Sequence, residues 1–208
     1  MTVNKLFADK EIIQRFINEI TKDWGNFAEQ CGKFEIRCLG EHRTPITQIF
    51  TLESVAEAVD FAVQMNAAKL NVYMTINPID PNAIITPGKG AKDKDILRAH
   101  YSFADADDQQ GLDGLIELST SQLPDITVIT GTMPHERRHA YWYLSEPCFD
   151  LQQWQVTQTR IAIEFNADKS VSNASRLMRL PGKVNFPSSH KQKKGYTLEL
   201  VTMHLGAN

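Results

Sequence analysis

The chain has 208 residues, 42% of them hydrophobic, with 22 Lys and Arg against 25 Asp and Glu for a formal net charge of −3. That is enough apolar side chain for one sizeable core, and so even a balance excludes a whole-surface basic footprint, leaving local patches as the only route to nucleic acid. No apolar run approaches the roughly 20 residues that span a bilayer, the opening MTVNKLFADKEIIQRF lacks a signal peptide's apolar stretch, and Cys31, Cys38 and Cys148 form no C-x-x-C pair and read as reduced thiols of a soluble intracellular protein.

Asp9 is placed to cap a first helix, because Ile12, Ile13, Phe16, Ile17, Ile20 and Trp24 follow at helical spacing. The alternation of KFEIRCL (33–39) predicts a strand. Thr51 opens a second helix with Val55, Val59, Ala62 and Val63 on its apolar face. NVYMTIN (71–77) is a strand stopped by Pro78. Residues 80–95, rich in Pro, Gly and Lys, read as a mobile loop that could serve as a lid. Strands follow at 102–107, 125–130 and 138–144, the last rich in aromatic β-formers, with a helix at 112–123. Asp150 caps a helix carrying Leu151, Trp154, Ile161 and Phe165. SSHKQKKG (188–195) reads as a basic loop before a final strand, YTLELVTM. The expectation is a single α+β unit over 1–208. An N-terminal α/β lobe (1–70) packs against a second lobe (71–208), whose sheet takes the strands at 71–77, 102–107, 125–130 and 138–144.

His135-Glu136-Arg137-Arg138-His139 spells H-E-x-x-H, a zinc-protease signature. It works on a helix, where the two His lie about 6 Å apart along the axis. On a strand they are about 13 Å apart and cannot share an ion. Gly131 and Pro134 signal a turn before the string, and Ala-Tyr-Trp-Tyr-Leu after it favours a strand, so no zinc is expected. Tyr141, Trp142 and Tyr143 would alternate faces, at least one of them in the core and at most one face free to stack a base.

Asp105 and Asp107, in FADADD, fall on one face of a strand. Two adjacent carboxylates are costly unless a cation lies between them, and Mg²⁺ or Mn²⁺ suits oxygen ligands; a solvated acidic turn is the alternative. Asp168 precedes a segment, 169–198, with seven Lys or Arg and no Asp or Glu. This suggests metal on one side and phosphate on the other, or else a solvated loop. Arg176 and Arg179, beside Leu177, Met178 and Leu180, read as partly buried guanidiniums, whose fork suits phosphate.

With these residues in order, the chain resembles the archaeo-eukaryotic primase superfamily, and within it the RepB-like primase-polymerases of plasmids and phages. Phe103-Ala-Asp105-Ala-Asp107 is similar to the family's paired-carboxylate motif. Thr130-Gly131, with His139 in the next strand, is similar to its glycine–histidine motif. Asp168 followed by SRLMRLPGKVN (175–185) is similar to the third and most specific motif, and Asn77-Pro78 to an N-P segment. The family keeps its glycine and histidine close, whereas seven residues, Thr132 to Arg138, separate them here, which implies a longer hairpin.

The resemblance implies an antiparallel sheet like that of RNA-recognition modules, with the active site on its open face. It implies template-directed nucleotidyl transfer by a DNA primase-polymerase, with Asp105, Asp107 and Asp168 holding two Mg²⁺ or Mn²⁺ ions. His139 would contact the triphosphate; Arg176 and Arg179 would grip the triphosphate or orient the acidic site, one of them bracing Asp168; Asn77 would line the sugar site or is an ordinary turn residue before Pro78; and Thr130 and Gly131 would line the nucleotide site. Lys89, Lys92 and Lys94, and Lys191, Lys193 and Lys194, would follow the phosphates of a single-stranded DNA template, or are simply solvated. NTPs or dNTPs are the implied substrates and a helicase or further domains the implied partners, in the cytoplasm of a bacterial host, encoded by phage or plasmid. The alternatives are a non-catalytic nucleic-acid or nucleotide-binding module and a metal-dependent nuclease.

Overall fold

In the computed structural model, which describes residues 6–26 and 32–206, the chain folds as α+β with antiparallel sheets. Cys31 and the chain ends lie outside the described residues. Asp9 caps helix α1 (Lys10–Thr21) by accepting from the Glu11 and Ile12 N–H groups, and Ile13, Phe16, Ile17 and Ile20 form its buried face. Strands β1 (Phe34–Leu39) and β2 (Ile46–Phe50) make a hairpin. A 3-10 turn from Leu52 to Ser54 then leads into α2 (Val55–Ala67). Among the described residues no helix is long and apolar enough to cross a membrane.

Strand β3 (Asn71–Thr75) pairs with β1 and with β7 (Leu177–Arg179), so the first sheet runs β2-β1-β3-β7. The strand expected at 71–77 in the second sheet thus belongs to the first. Its side chains suit either; pairing partners decide, and these are not written in local periodicity.

The second sheet is built from β4 (Ala99–Ala106), β5 (Ile126–Gly131), β6 (Arg137–Cys148) and β10 (Thr202–Leu205), in the order β10-β5-β6-β4. Its fourth strand therefore comes from the C-terminal segment and not from 71–77. Helix α3 (Gln109–Ser121) links β4 to β5, and α4 (Leu151–Glu164), capped by Asp150, follows β6 and leads towards β7. Between them Leu112, Leu115 and Ala162 cover the face bearing Ala104, Ala106, Ala140 and Trp142 in a small cluster. The opposite face carries Tyr101, Phe103 and Tyr141 into the main core, together with Phe16 of α1 and Ile36 and Met74 of the first sheet. Phe16 meets the Tyr141 ring edge-on, centroids 5.9 Å apart. β8 (Val184–Asn185) and β9 (Glu199–Leu200) form a small ribbon. The expected basic loop between them instead contains a short helix, α5 (Ser189–Lys193), capped by the Ser188 side chain.

Candidate active site

The alternation that sends Tyr101 and Phe103 into the core brings Asp105 to the same face two residues later. Asp107 lies just beyond the end of β4. Asp168 follows α4, and its backbone N–H donates to the Asp105 carbonyl at 2.8 Å. Its own carboxylate accepts from the Ser170 N–H at 2.8 Å and the Ser170 hydroxyl at 2.9 Å. The three acids, with His139, Arg176 and Arg179, line one cavity of about 310 Å³.

The Asp105 side chain is 14% exposed, its Oδ1 is enclosed with no hydrogen-bond partner, and its carboxyl is pushed up to about 8. Burial is the main cause and repulsion from Asp107 and Asp168 adds to it, while Arg176 and Arg179 pull the other way. His139, its Cα partner across the β4–β6 ladder, places Nε2 3.6 Å from Asp105 Oδ1. Burial first, then Arg179 and Arg176, push the imidazole down to about 3. The ring is therefore neutral at pH 7 and this contact is no ion pair. His139 Nδ1 lies 3.2 Å from the Tyr141 hydroxyl; a hydroxyl donating there leaves the ring's one N–H on Nε2, facing Asp105.

The guanidiniums come from the first sheet and the segment leading into it. Arg176 Nη2 is 3.2 Å from Ser170 Oγ and 3.9 Å from Asp168 Oδ2. Arg179, on β7, is opposite Tyr73. It donates to Asn71 Oδ1 at 2.9 Å and to the Tyr73 hydroxyl at 2.8 Å. Asn71 also binds both the N–H and the carbonyl of Phe186, so the arginine is held on a rigid support.

The expected nucleotide-site residues divide. Thr130 lines the cavity. Gly131 acts by what it lacks: a Cβ there would overlap the Arg137 guanidinium and crowd Glu199. Asn77 is fully buried and is not among the residues lining the cavity; its amide donates to the Ala174 carbonyl at 3.1 Å, tying the end of β3 to the segment before Arg176. Lys191 lines the cavity, but Lys193 and Lys194 are exposed outside it. Lys92 and Lys94, with Lys89, line a different cavity. Tyr141 is in the core, Trp142 is buried on the opposite face with its indole N–H on the Gln122 carbonyl, and Tyr143 lies under Lys22; none of the three lines the cavity.

Sequence reasoning missed Asn71, Tyr73, Arg137 and Tyr196, all of which line the cavity, as does Asn185 from the 175–185 motif. Asn71 and Tyr73 share a face of β3 and were hidden by its assignment to the other sheet. Arg137, only 2% exposed, pairs with Glu199 at 3.3 Å and lies over the Tyr196 ring. The H-E-x-x-H string resolves into separate parts: His135 precedes β6 and its Nε2 is 2.8 Å from the Asp107 carbonyl, while His139 lies within the strand.

The donor set fits a hard cation. Three carboxylates line the cavity, and the orphaned Asp105 oxygen is a buried acceptor for which positive charge would relieve both repulsion and lost hydration. The carboxylates do not close on one point: among the described residues no three His, Cys, Asp or Glu groups stand at metal-holding spacing.

The family model for the RepB DNA-primase N-terminal domain matches residues 50–205. None of the curated proteins matches the chain. Among solved structures, the AEP domain of the cyanophage S-2L primase-polymerase is similar over 97% of this chain and 92% of that one, with 17% identity and a TM-score of 0.65. Primase RepB′ is similar over 92% of this chain and 56% of that one, at 16% identity and a TM-score of 0.55. The catalytic domain of primase RepB′ in complex with initiator DNA is similar over 92% and 85%, at 15% identity and a TM-score of 0.51. At these identities the likeness is one of fold.

Proposed function

Since the chain belongs to the RepB DNA-primase N-terminal domain family, we propose that it is a DNA primase-polymerase domain that joins nucleotides on a single-stranded DNA template. The observation that carries this reading is the meeting of three carboxylates, a neutral histidine and two arginines in one cavity. A simple binding module has no use for a buried carboxyl beside two others, since each raises the cost of ionising it.

Divalent ions of the Mg²⁺ or Mn²⁺ class, when bound by Asp105, Asp107 and Asp168, supply acidity at the attacking 3′-hydroxyl and neutralise charge that grows on the pyrophosphate. The chain's own groups do the rest. Arg176 and Arg179 offer bidentate donors to phosphate oxygens. Arg179 is aimed before substrate arrives, because Asn71 and Tyr73 already hold it, and preorganised donors need no rearrangement during reaction. His139 donates from Nε2 without adding charge, which keeps it compatible with the nearby guanidiniums.

The test is incubation with unprimed single-stranded DNA, labelled NTPs or dNTPs, and Mn²⁺ or Mg²⁺. Oligomeric products support a primase, and extension of an annealed primer alone supports a polymerase that does not initiate. Template degradation without synthesis assigns the acids to a nuclease and overturns the proposal.

A further inference from the structure

A second cavity, of about 650 Å³, lies outside the catalytic one and is lined by Arg37 of β1 and by the 84–95 loop. Its cations are Arg37, Lys89, Lys92 and Lys94, against the single acid Asp95. Asp95 is committed to the Lys92 N–H. Among the described residues the three lysines form no ion pair, and all three are exposed. Ile84, also on the lining, is 96% exposed.

This surface is built, not a loop left loose. Fully buried Glu35 takes the Arg37 Nε–H on one oxygen and the Ala91 N–H on the other, fastening the loop to β1. Gly90 permits the approach, since a Cβ there would overlap the Arg37 guanidinium. At its far end the loop is clamped to the catalytic segment: Asp93 Oδ1 accepts from the Ser175 N–H at 2.8 Å, the Ser175 hydroxyl at 2.7 Å and the Asn173 amide at 3.2 Å. The next residue, Arg176, lines the catalytic cavity.

We propose that this cationic cavity binds the phosphates of the single-stranded DNA template, with Ile84 against an unstacked base. The assignment rests on the primase-polymerase reading for the identity of the strand. Nucleotide phosphate is served by Arg176 and Arg179 in the other cavity, so a second polycationic surface, on a loop bonded to the residue before Arg176, suits a polyanion that passes by. Lysines on flexible stems neutralise backbone phosphates without reading sequence. An exposed branched side chain beside them suits a base face, which a duplex hides and a single strand presents.

Fluorescence anisotropy with a labelled single-stranded oligonucleotide tests this without any catalysis, so failed synthesis and failed binding are separate results. The variant Lys89→Gln/Lys92→Gln/Lys94→Gln is expected to bind roughly tenfold or more weakly at low salt. Its slope of log affinity against log salt should flatten by about 2, near 0.7 for each lost phosphate contact. Lys10→Gln, which removes an exposed charge from α1, should bind like the unaltered chain, and Ile84→Ser should weaken binding with no change in salt slope. Equal affinity and slope in the triple variant overturn the proposal. So does an equal loss of affinity for a blunt duplex, which would make the surface a general cation patch.

Discussion

Asp105 and His139 face each other as Cα partners across the β4–β6 ladder, and the same burial has driven both toward their uncharged forms. Neither neutralises the other. The carboxyl is left with an orphaned oxygen, and two more acids nearby make the region a place where negative charge is costly until a cation enters.

Replacing Asp105 with Asn should therefore stabilise the protein while removing its activity. The carboxyl, raised to about 8 from an ordinary 3.8, lowers folded-state stability as pH climbs through that window, because the unfolded chain ionises first. The variant's melting temperature in chelator should exceed that of the unaltered chain at pH 8, with the difference shrinking towards pH 4. Synthesis should fall at least about a hundredfold, on the order of the loss seen when one preorganised charged group leaves an active site. Near-normal synthesis would remove Asp105 from the metal site.

His139→Ala should mainly weaken nucleotide use. The neutral ring contributes one donor in a cavity otherwise served by guanidiniums, so its loss should raise the apparent KM for nucleotide by about tenfold, near 1.4 kcal/mol. An unchanged KM would dissociate His139 from the triphosphate.

Tyr73→Phe and Asn71→Ala separate aiming from folding. Tyr73→Phe deletes one hydrogen bond to Arg179, so stability should change by about 1 kcal/mol or less while nucleotide KM rises. Asn71→Ala also strips both bonds to Phe186 and should cost roughly 1–3 kcal/mol of stability in urea denaturation. If Tyr73→Phe leaves nucleotide KM where it was, Arg179 needs no support from that hydroxyl.

Lys183, 1% exposed and with an unpartnered ammonium nitrogen, should be replaceable with benefit. Burial pushes its amine down to about 7 from the usual 10.5; Cys38 opposes this, and Lys10, with a smaller effect than Cys38, adds to it. Between those two values the unfolded chain holds a proton that the folded one has lost, so stability rises with pH. Lys183→Met should be more stable at pH 7 by an amount on the order of 1–4 kcal/mol. That gain should dwindle as pH approaches 10, which denaturant titrations across the range would reveal; a destabilised variant at pH 7 would point to an unseen partner for the amine.

The parts of this arrangement that follow local rules were legible beforehand. Asp9 and Asp150 announce their helices by capping chemistry, and the alternation around Phe103 puts both Asp105 and its neighbours on the correct strand. Pairing was not legible: β3 carries a pattern that either sheet accepts, and its true partners are β1 and β7. Strand β2 escaped notice because Thr47 and Gln48 dilute its apolar signal, and α5 because its exposed lysines resemble a loop. Arg137 and Asn71 matter through partners distant in the chain, Glu199 and Phe186, so no window of sequence around them shows their role.

The carboxylates ride on one sheet or its margin and Arg179 on the other, with a shared apolar filling that includes Phe16, Met74 and Tyr141. The gap between acid and guanidinium is thus gauged by side chains that never meet a nucleotide. Shaving a ring from that filling would let the two layers creep together, and the injury would surface as clumsy handling of substrate at a place the altered residue does not touch.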